Sequence, residues 1–508
     1  MTNSNSTTTP AAPPDHGTAD RVRTEEIPCR IEPTDALFAV AHSQRCPVFL
    51  DSTLDGRDAW TILTADPTRE VTDELPPWSP ERRHEEPAPS PPRSSAAGHD
   101  SPGGRDVPPF RTGWIGFLSY ESAGAFSPYV TTREREASGP RAQWSRYTAS
   151  LAYRHSDRTW WLSYEDEPDA RQRAAKLRAC LERPETLGPA SASRPYRVGS
   201  PSPELPLDAY VQRVEAIQEW IARGHIYQAN LTYRVRAAFE GRGLDLYPEL
   251  RRTSPVPFGA YLRLDRDEHV EHGGVTACSG ATGRGGVTAR VEANVEAPLE
   301  ILAASPELYL SSRGGRIRTR PIKGTRPRDL ADANRDAALA RELFLSEKDR
   351  AELTMIVDLE RNDLGRVCEY GSVRTHAFPR VESYRGVHHL VADVEGTLRR
   401  DVSLREILAA TFPGGSVTGA PKIRAMELIA EHETSPRGIY TGALGYLDDR
   451  GHMMLSLTIR TLWITPGPER ELRFGVGGGI VADSVPLLEW AETEHKAKTL
   501  LEALATTP

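Results

Sequence analysis

The last thirty-odd residues of the chain restrict its architecture most. A strand-like run, Leu472-Arg473-Phe474-Gly475-Val476, passes into Gly477-Gly478-Gly479 and then into a helix from about Pro486 to Leu504. The stretch reads as a strand followed by a helix. The glycine run, joined to a helix start at Asp483-Ser484, lets backbone N–H groups converge on an anion. It follows neither the dinucleotide nor the P-loop pattern, and a tight strand-to-helix turn explains the spacing equally well. On the helix, Glu489 and Glu492 lie at i and i+3 on one face. Such a pair can hold Mg²⁺ with help from substrate oxygens; with Lys496 beside it, it also fits an exposed acidic face.

The preceding chain divides into segments. Residues 1–25 are polar and rich in Thr and Pro, which predicts a disordered tail. Residues 26–195 form a first globular region, with strand-like runs at Pro47–Ser52, Trp60–Ala65, Gly113–Glu121, Ala149–Arg154 and Thr159–Tyr164. Residues 76–108 lose all periodicity and read as a disordered insertion. Residues 184–206, with many prolines, read as a linker or crossing loop. A second region, 205–505, is denser: a helix over 208–223, an alternating strand at Leu231–Phe239, a helix from Ser346 to about Leu364, and a helix from Asp401 or Ser403 through Ala410. Phe412–Pro421 is a glycine-rich loop feeding a helix over 421–432, and strands follow at 440–447 and 453–462. Residues 266–299, low in bulky apolar side chains, read as a loop insertion.

Composition excludes several classes. A net charge of -8 gives no footprint for nucleic acid. The five cysteines are scattered, with no CxxC, which argues against a disulfide framework or a structural zinc site. No apolar run reaches membrane-spanning length, and the N-terminus has no secretory pattern; a cytoplasmic protein is expected.

Lysine is scarce: six of the 63 basic residues are lysines. One sits in Arg320-Pro321-Ile322-Lys323-Gly324-Thr325, read as a loop after the strand-like run Arg316–Thr319. An amine can lose its proton and attack carbon; a guanidinium cannot. Arg320 and Arg326, if they point the same way, would lower the proton affinity of Lys323. On the short motif alone a surface lysine is the simpler reading. Taken singly, Glu352 is a solvated helix residue and His389 a satisfied buried histidine.

Together these motifs resemble, in order and spacing, the large subunit of the chorismate-utilising enzymes, which include anthranilate, aminodeoxychorismate, isochorismate and salicylate synthases. The resemblance is carried by Tyr227-Gln228-Ala229-Asn230-Leu231, Ser305-Pro306-Glu307, Pro321–Thr325, Lys348–Leu353, Val357–Asp363, His388–Val391, Pro413–Lys422, Ser456–Thr461 and the glycine run with Glu489-Trp490-Ala491-Glu492. It covers 205–505 strongly and 37–165 more weakly. It implies one large α/β fold, two antiparallel sheets packed as a sandwich with helices outside, and a cleft for chorismate and Mg²⁺ between the two halves.

Within that family Lys323 discriminates. Anthranilate synthases resemble this motif but carry alanine there, aminodeoxychorismate synthases carry the lysine as nucleophile, and isochorismate relatives place a catalytic lysine near the position of Gln228. The resemblance therefore implies a component I of aminodeoxychorismate synthase, serving p-aminobenzoate and folate synthesis or a specialised metabolite. The alternatives are an anthranilate synthase component I, which Lys323 discriminates against, and a non-catalytic chorismate-binding partner subunit, against which Glu307, Lys323, Glu352 and Glu492 speak together. It implies attack by Lys323 on C2 of chorismate and Glu307 as general acid on the C4 hydroxyl. Glu352 and Glu492 would hold Mg²⁺ with Glu489 close by, and Tyr440, Arg460 and the Gly477, Gly478 and Gly479 amides would hold substrate. Ser416 or Thr418 would lie against it. His389 matches a histidine tied to pyruvate elimination in anthranilate synthase. No segment resembles a glutamine amidotransferase, so ammonia is expected from a partner subunit. The family's N-terminal part can carry a tryptophan pocket near a Leu-Leu-Glu-Ser strand; here the stretch is Phe49-Leu50-Asp51-Ser52.

Overall fold

In the computed structural model the described residues are 21–52, 59–80, 107–134, 140–182, 195–265, 297–384 and 386–505. They form two large sheets, of 13 and 10 strands, whose pairings are all antiparallel.

Period-two alternation on strands buried on both faces builds three layers. In Leu299–Ser305, Ile301 and Ala303 point into a core shared by both sheets, while Leu302 and Ala304 point at the helices outside the first sheet. In Gly113–Leu118 of the second sheet, Ile115 and Phe117 enter that same central core, and Trp114 and Leu118 face the helices outside. Each fully buried side chain of this size contributes about 1.5–3 kcal/mol. The outer layers are helical. Pro33–Ser43, Pro168–Glu182, Leu207–Ala222 and Pro486–Ala505 cover the first sheet, and Glu347–Gly365 and Leu404–Thr411 cover the second.

The two parts of the chain share these sheets. Val48–Asp51 pairs with Phe258–Leu264 in the first sheet, and Gly113–Leu118 pairs with Ala443–Asp448 in the second. The proline-rich connection contributes short strands, Arg197–Val198 and Ser202–Pro203, to the edge of Gln228–Glu240.

Several expectations need correction. The tail ends earlier than residue 25: Val22–Ile27 pairs with Thr159–Glu165, and Ile27 is buried. Residues 1–20 lie outside the described residues, as do 81–106 and 266–296 of the two insertions. Both described ends of the first insertion rest on one turn: Trp78 Nε1 donates to the Asp448 carbonyl at 3.1 Å, and Arg450 donates to the carbonyls of Pro108 and Pro109. Ends held close together make a long insertion inexpensive. The second insertion joins two paired strands, Phe258–Leu264 and Leu299–Ser305, so its last residue belongs to the sheet. The helices Pro33–Ser43, Gly243–Thr253 and Ala333–Leu345 were not read from the sequence. Gly243–Thr253 has Pro248 inside it, and Ala333–Leu345 buries fully only Leu343. Among the described residues no helix is long and apolar enough to cross a membrane.

Candidate active site

Lys323 lies on a strand, not in a loop. Ile322–Pro327 pairs with Val387–Thr397, opposing Lys323 to Leu390 and Thr325 to His389. The loop reading failed because the segment is polar and half-buried; its order comes from the partner strand. The register shifts between Lys323 and Thr325, where Gly324 adopts φ +76. A side chain at Gly324 would meet the Asp349 carboxylate at 2.7 Å and Leu343 at 2.8 Å, so only glycine fits this bulge. The expected influence of the two flanking arginines is also corrected. Arg320 pairs with Asp393 at 3.0 Å and Glu382 at 3.3 Å, and Arg326 with Glu342 at 2.7 Å, so neither confronts Lys323 as an uncompensated cation. Its charge acts on three carboxylates instead: Glu307, Glu352 and Glu492.

Glu307 follows the strand Leu299–Ser305 at Pro306 and is 4% exposed. Burial pushes its carboxyl up to about 7; the Ser416 hydroxyl at 2.6 Å, the Lys323 charge and the Ile322 amide limit the rise. A carboxyl held there is half-protonated near neutral pH, as a general acid requires. A raised carboxyl also binds its proton more tightly in the folded state. That contribution to stability is complete below the unfolded value near 4.5 and is lost as pH rises through about 7. Glu307→Gln, neutral throughout, should therefore gain about 2 kcal/mol over wild type between pH 5 and pH 8. Urea unfolding at the two pH values measures this; a constant difference would place Glu307 in water.

The three glutamates on the helices sit differently from one another. Glu489 is buried and accepts from Ser484 Oγ at 2.7 Å. Glu492 is half-exposed and pairs with Lys496 at 2.8 Å, so the acidic-face reading holds in part. Glu352, on Glu347–Gly365, has Lys348 at 4.0 Å. Burial raises Glu352 and Glu489, and the Glu492 charge adds to both; on Glu492 burial acts upward too, but Lys496, Lys348 and Lys323 together outweigh it and lower it. Mutual repulsion among close carboxylates is what a divalent cation relieves, and the hard oxygen donors suit Mg²⁺. Among the described residues no group of three or more acidic, histidine or cysteine side chains is placed to hold a metal ion by itself. A cation bound at these glutamates would need oxygens of substrate or water to complete its coordination.

The glycine run is a strand as well. Glu471–Ile480 pairs with Gln228–Glu240 throughout, opposing Gly477, Gly478 and Gly479 to Thr232, Leu231 and Asn230. The turn reading failed because glycine has no strand pattern of its own; here it makes room for neighbours. A side chain at Gly475 would strike the buried Tyr440 ring at 2.1 Å, and one at Gly479 the Gln228 amide at 2.4 Å. On its other side this strand pairs with Thr461–Ile464 only at Leu472–Phe474. From Gly475 on, alternate backbone groups therefore face an edge with no strand partner among the described residues.

Arg460 immediately precedes Thr461–Ile464 at that edge, at φ +49. Burial lowers it, and its guanidinium makes no hydrogen bond or ion pair with a described residue. Lys496 Nζ donates to the Gly477 carbonyl at 2.9 Å, and a guanidinium with no described partner near such a strand edge can receive a carboxylate. His389 is buried near it. Desolvation, then the Arg460 charge, push the imidazole down to about 3, so the ring is neutral at working pH; Nδ1 lies 3.2 Å from the Thr325 hydroxyl.

Two hydroxyls expected against substrate are engaged elsewhere. Ser416 donates to Glu307, and Thr418, fully buried, donates to the Gly414 carbonyl at 3.0 Å. Thr418 thus braces the loop. Residues the motifs did not single out for a role are Ser484, which orients Glu489, and Gln228, whose buried carboxamide has no hydrogen-bond partner among the described residues on either atom. Its signal was a glutamine in an otherwise buried strand. Asp51 pairs with Arg251 at 2.6 Å and accepts from the Thr61 hydroxyl at 2.9 Å, at the wall of a separate cavity of about 370 Å³ also lined by Leu50, Trp60, Phe258, Tyr446 and Met454.

The family model for chorismate binding enzymes matches residues 54–275 and 289–502. The aminodeoxychorismate synthase component 1 of Bacillus subtilis is 35% identical over 404 residues, 78% of each chain. The anthranilate synthase component 1 of Streptomyces coelicolor is 35% identical over 413 residues, 78% of this chain and 74% of that one. The crystal structure of anthranilate synthase component I from Streptococcus pneumoniae superposes with TM-score 0.63 at 27% identity, covering 88% of this chain and 92% of that chain.

Proposed function

This chain belongs to the chorismate binding enzyme family, and from that premise we propose that it aminates chorismate at C4 as component I of an aminodeoxychorismate synthase. One observation carries the reading: a primary amine, Lys323, acts electrostatically on a buried carboxyl, Glu307, whose proton affinity lies near neutral pH. Nucleophile and acid are what a displacement of the C4 hydroxyl needs.

Arg460 and the open edge of the glycine strand hold the enolpyruvyl carboxylate. The neutral Lys323 amine forms a bond to C2 and gives a proton to solvent. The ring double bonds shift, and the C4 hydroxyl leaves as water with the proton from Glu307. Ammonia then bonds to C4 and gives up a proton that restores Glu307, the double bonds shift back, and the C2–N bond to Lys323 breaks as that nitrogen takes a proton from solvent, giving 4-amino-4-deoxychorismate. His389, uncharged, serves as a neutral wall beside Arg460 and braces the lysine strand through Thr325. Glu352 and Glu492, with Glu489 behind them, would hold Mg²⁺, which when bound neutralises the ring carboxylate of chorismate. Ammonia comes from a glutaminase subunit.

Identification of the product from chorismate and an ammonium salt tests the reading. Aminodeoxychorismate supports it; anthranilate with pyruvate would assign the chain to the other branch of its relatives. For the metal, Glu492→Gln and Glu352→Gln should each weaken Mg²⁺ binding about 10-fold or more, read by calorimetry in the presence of chorismate. An unchanged titration removes that residue from the ligand set.

A further inference from the structure

One side chain closes the loop that supplies Ser416. Lys422 Nζ donates to Asp363 Oδ2 at 2.5 Å, to the Thr411 carbonyl at 2.9 Å and to the Pro413 carbonyl at 2.8 Å. All three ammonium hydrogens are thereby used, with the side chain 11% exposed. Asp363 belongs to Glu347–Gly365, the helix that also carries Glu352. The loop lies flat on its surroundings: a side chain at Gly415 would come within 3.0 Å of Leu359, and one at Gly414 within 3.1 Å of Leu457. Ser416, between these anchors, reaches Glu307 at 2.6 Å across 109 residues of sequence.

We propose that Lys422, paired with Asp363, is a positioning residue that holds the loop 411–422 so that the Ser416 hydroxyl stays on the Glu307 carboxyl. A buried ion pair is weak evidence of stability, because an apolar pair of similar volume holds two elements together as well. Only a donor of three hydrogen bonds can tie two loop carbonyls and a helix carboxylate at one point. The compact ammonium suits this junction better than a planar guanidinium, in a chain that otherwise uses arginine almost everywhere. The inference rests on Glu307 as the acid of the proposed amination. The titratable group acting on Glu307 is Lys323 from the neighbouring strand; Glu307 in turn raises Glu360 on the helix, which accepts from Thr319 Oγ1 at 3.0 Å. The Ser416 hydroxyl stabilises ionised Glu307, so its loss raises the proton affinity of the acid further.

The test is a mutant cycle on chorismate consumption at saturating ammonium, with full pH profiles. Lys422→Met alone strands the Asp363 carboxylate, so it is combined with Asp363→Asn to keep the protein folded. This double variant should lower kcat about 10-fold, with KM for chorismate nearly unchanged. It should move toward higher pH the same limb of the profile that Ser416→Ala moves. Adding Ser416→Ala to it should cost at most about twofold more, because both act through one hydrogen bond. Losses that multiply, or a limb that stays in place in the double variant, would overturn the proposal. Glu307→Gln provides the separate control. If it and Ser416→Ala both leave kcat within about threefold of wild type, the acid assignment itself fails and takes this inference with it.

Discussion

Lys323→Ala should lower the rate of chorismate amination by about 10³-fold or more, because it removes the only route through a covalent adduct. Lys323→Arg should be equally inactive. It keeps the positive charge among Glu307, Glu352 and Glu492 but cannot supply a neutral nitrogen. The pair of variants separates two roles that alanine alone confounds. Lys323 makes no hydrogen bond or short ion pair with a described residue, so its loss should leave folding nearly intact. Removing its charge should nevertheless raise Glu307 above its present value of about 7, since the lysine is one of the influences holding it down. Steady-state rates and intact-protein mass spectrometry read the outcome. Wild-type enzyme trapped with chorismate in the absence of ammonia should carry an adduct at Lys323. Activity within threefold of wild type in the alanine variant, or substantial activity in the arginine variant, would sink the nucleophile assignment.

The second large effect concerns the nitrogen source. A purified chain of these 508 residues should use ammonium salts and give no product with glutamine alone. A glutaminase cysteine needs a thiol whose proton affinity is lowered. Burial instead pushes Cys46 and Cys368 up to about 12, and Cys180 is buried. Cys29 donates to the Leu181 carbonyl beneath the outer helices. Cys278 lies outside the described residues, in a stretch without the glycine-flanked nucleophile turn of an amidotransferase. The ammonium-dependent rate should rise with pH, because neutral NH₃ is the attacking species. Addition of a glutaminase subunit should confer glutamine dependence. Sustained turnover on glutamine by the single chain, with contaminating glutaminase excluded, would mean that it hydrolyses glutamine itself.

What the sequence determined by itself was local chemistry and periodicity. The rarity of lysine marked Lys323, and the motif order pointed to one family. Runs such as Pro47–Ser52 read as strands because they are short and largely apolar, and Val48–Asp51 is buried at every position. Helices were legible where a cap and an apolar stripe coincide: Ser346 does accept from Asp349 N, and Ser403 forms a full capping box with Glu406.

The tertiary structure decided whatever depends on a partner far along the chain. Lys323 and the glycine run became strands because Val387–Thr397 and Gln228–Glu240 supply their hydrogen bonds, and neither segment carries an alternating pattern of its own. Pairing likewise turned Arg320 and Arg326 toward acids and left Arg460 without one among the described residues, a difference invisible in the sequence around the three arginines. The proton affinity of Glu307 belongs to the same class. It follows from burial beneath two sheets and from one hydroxyl 109 residues away, and no window of sequence contains both.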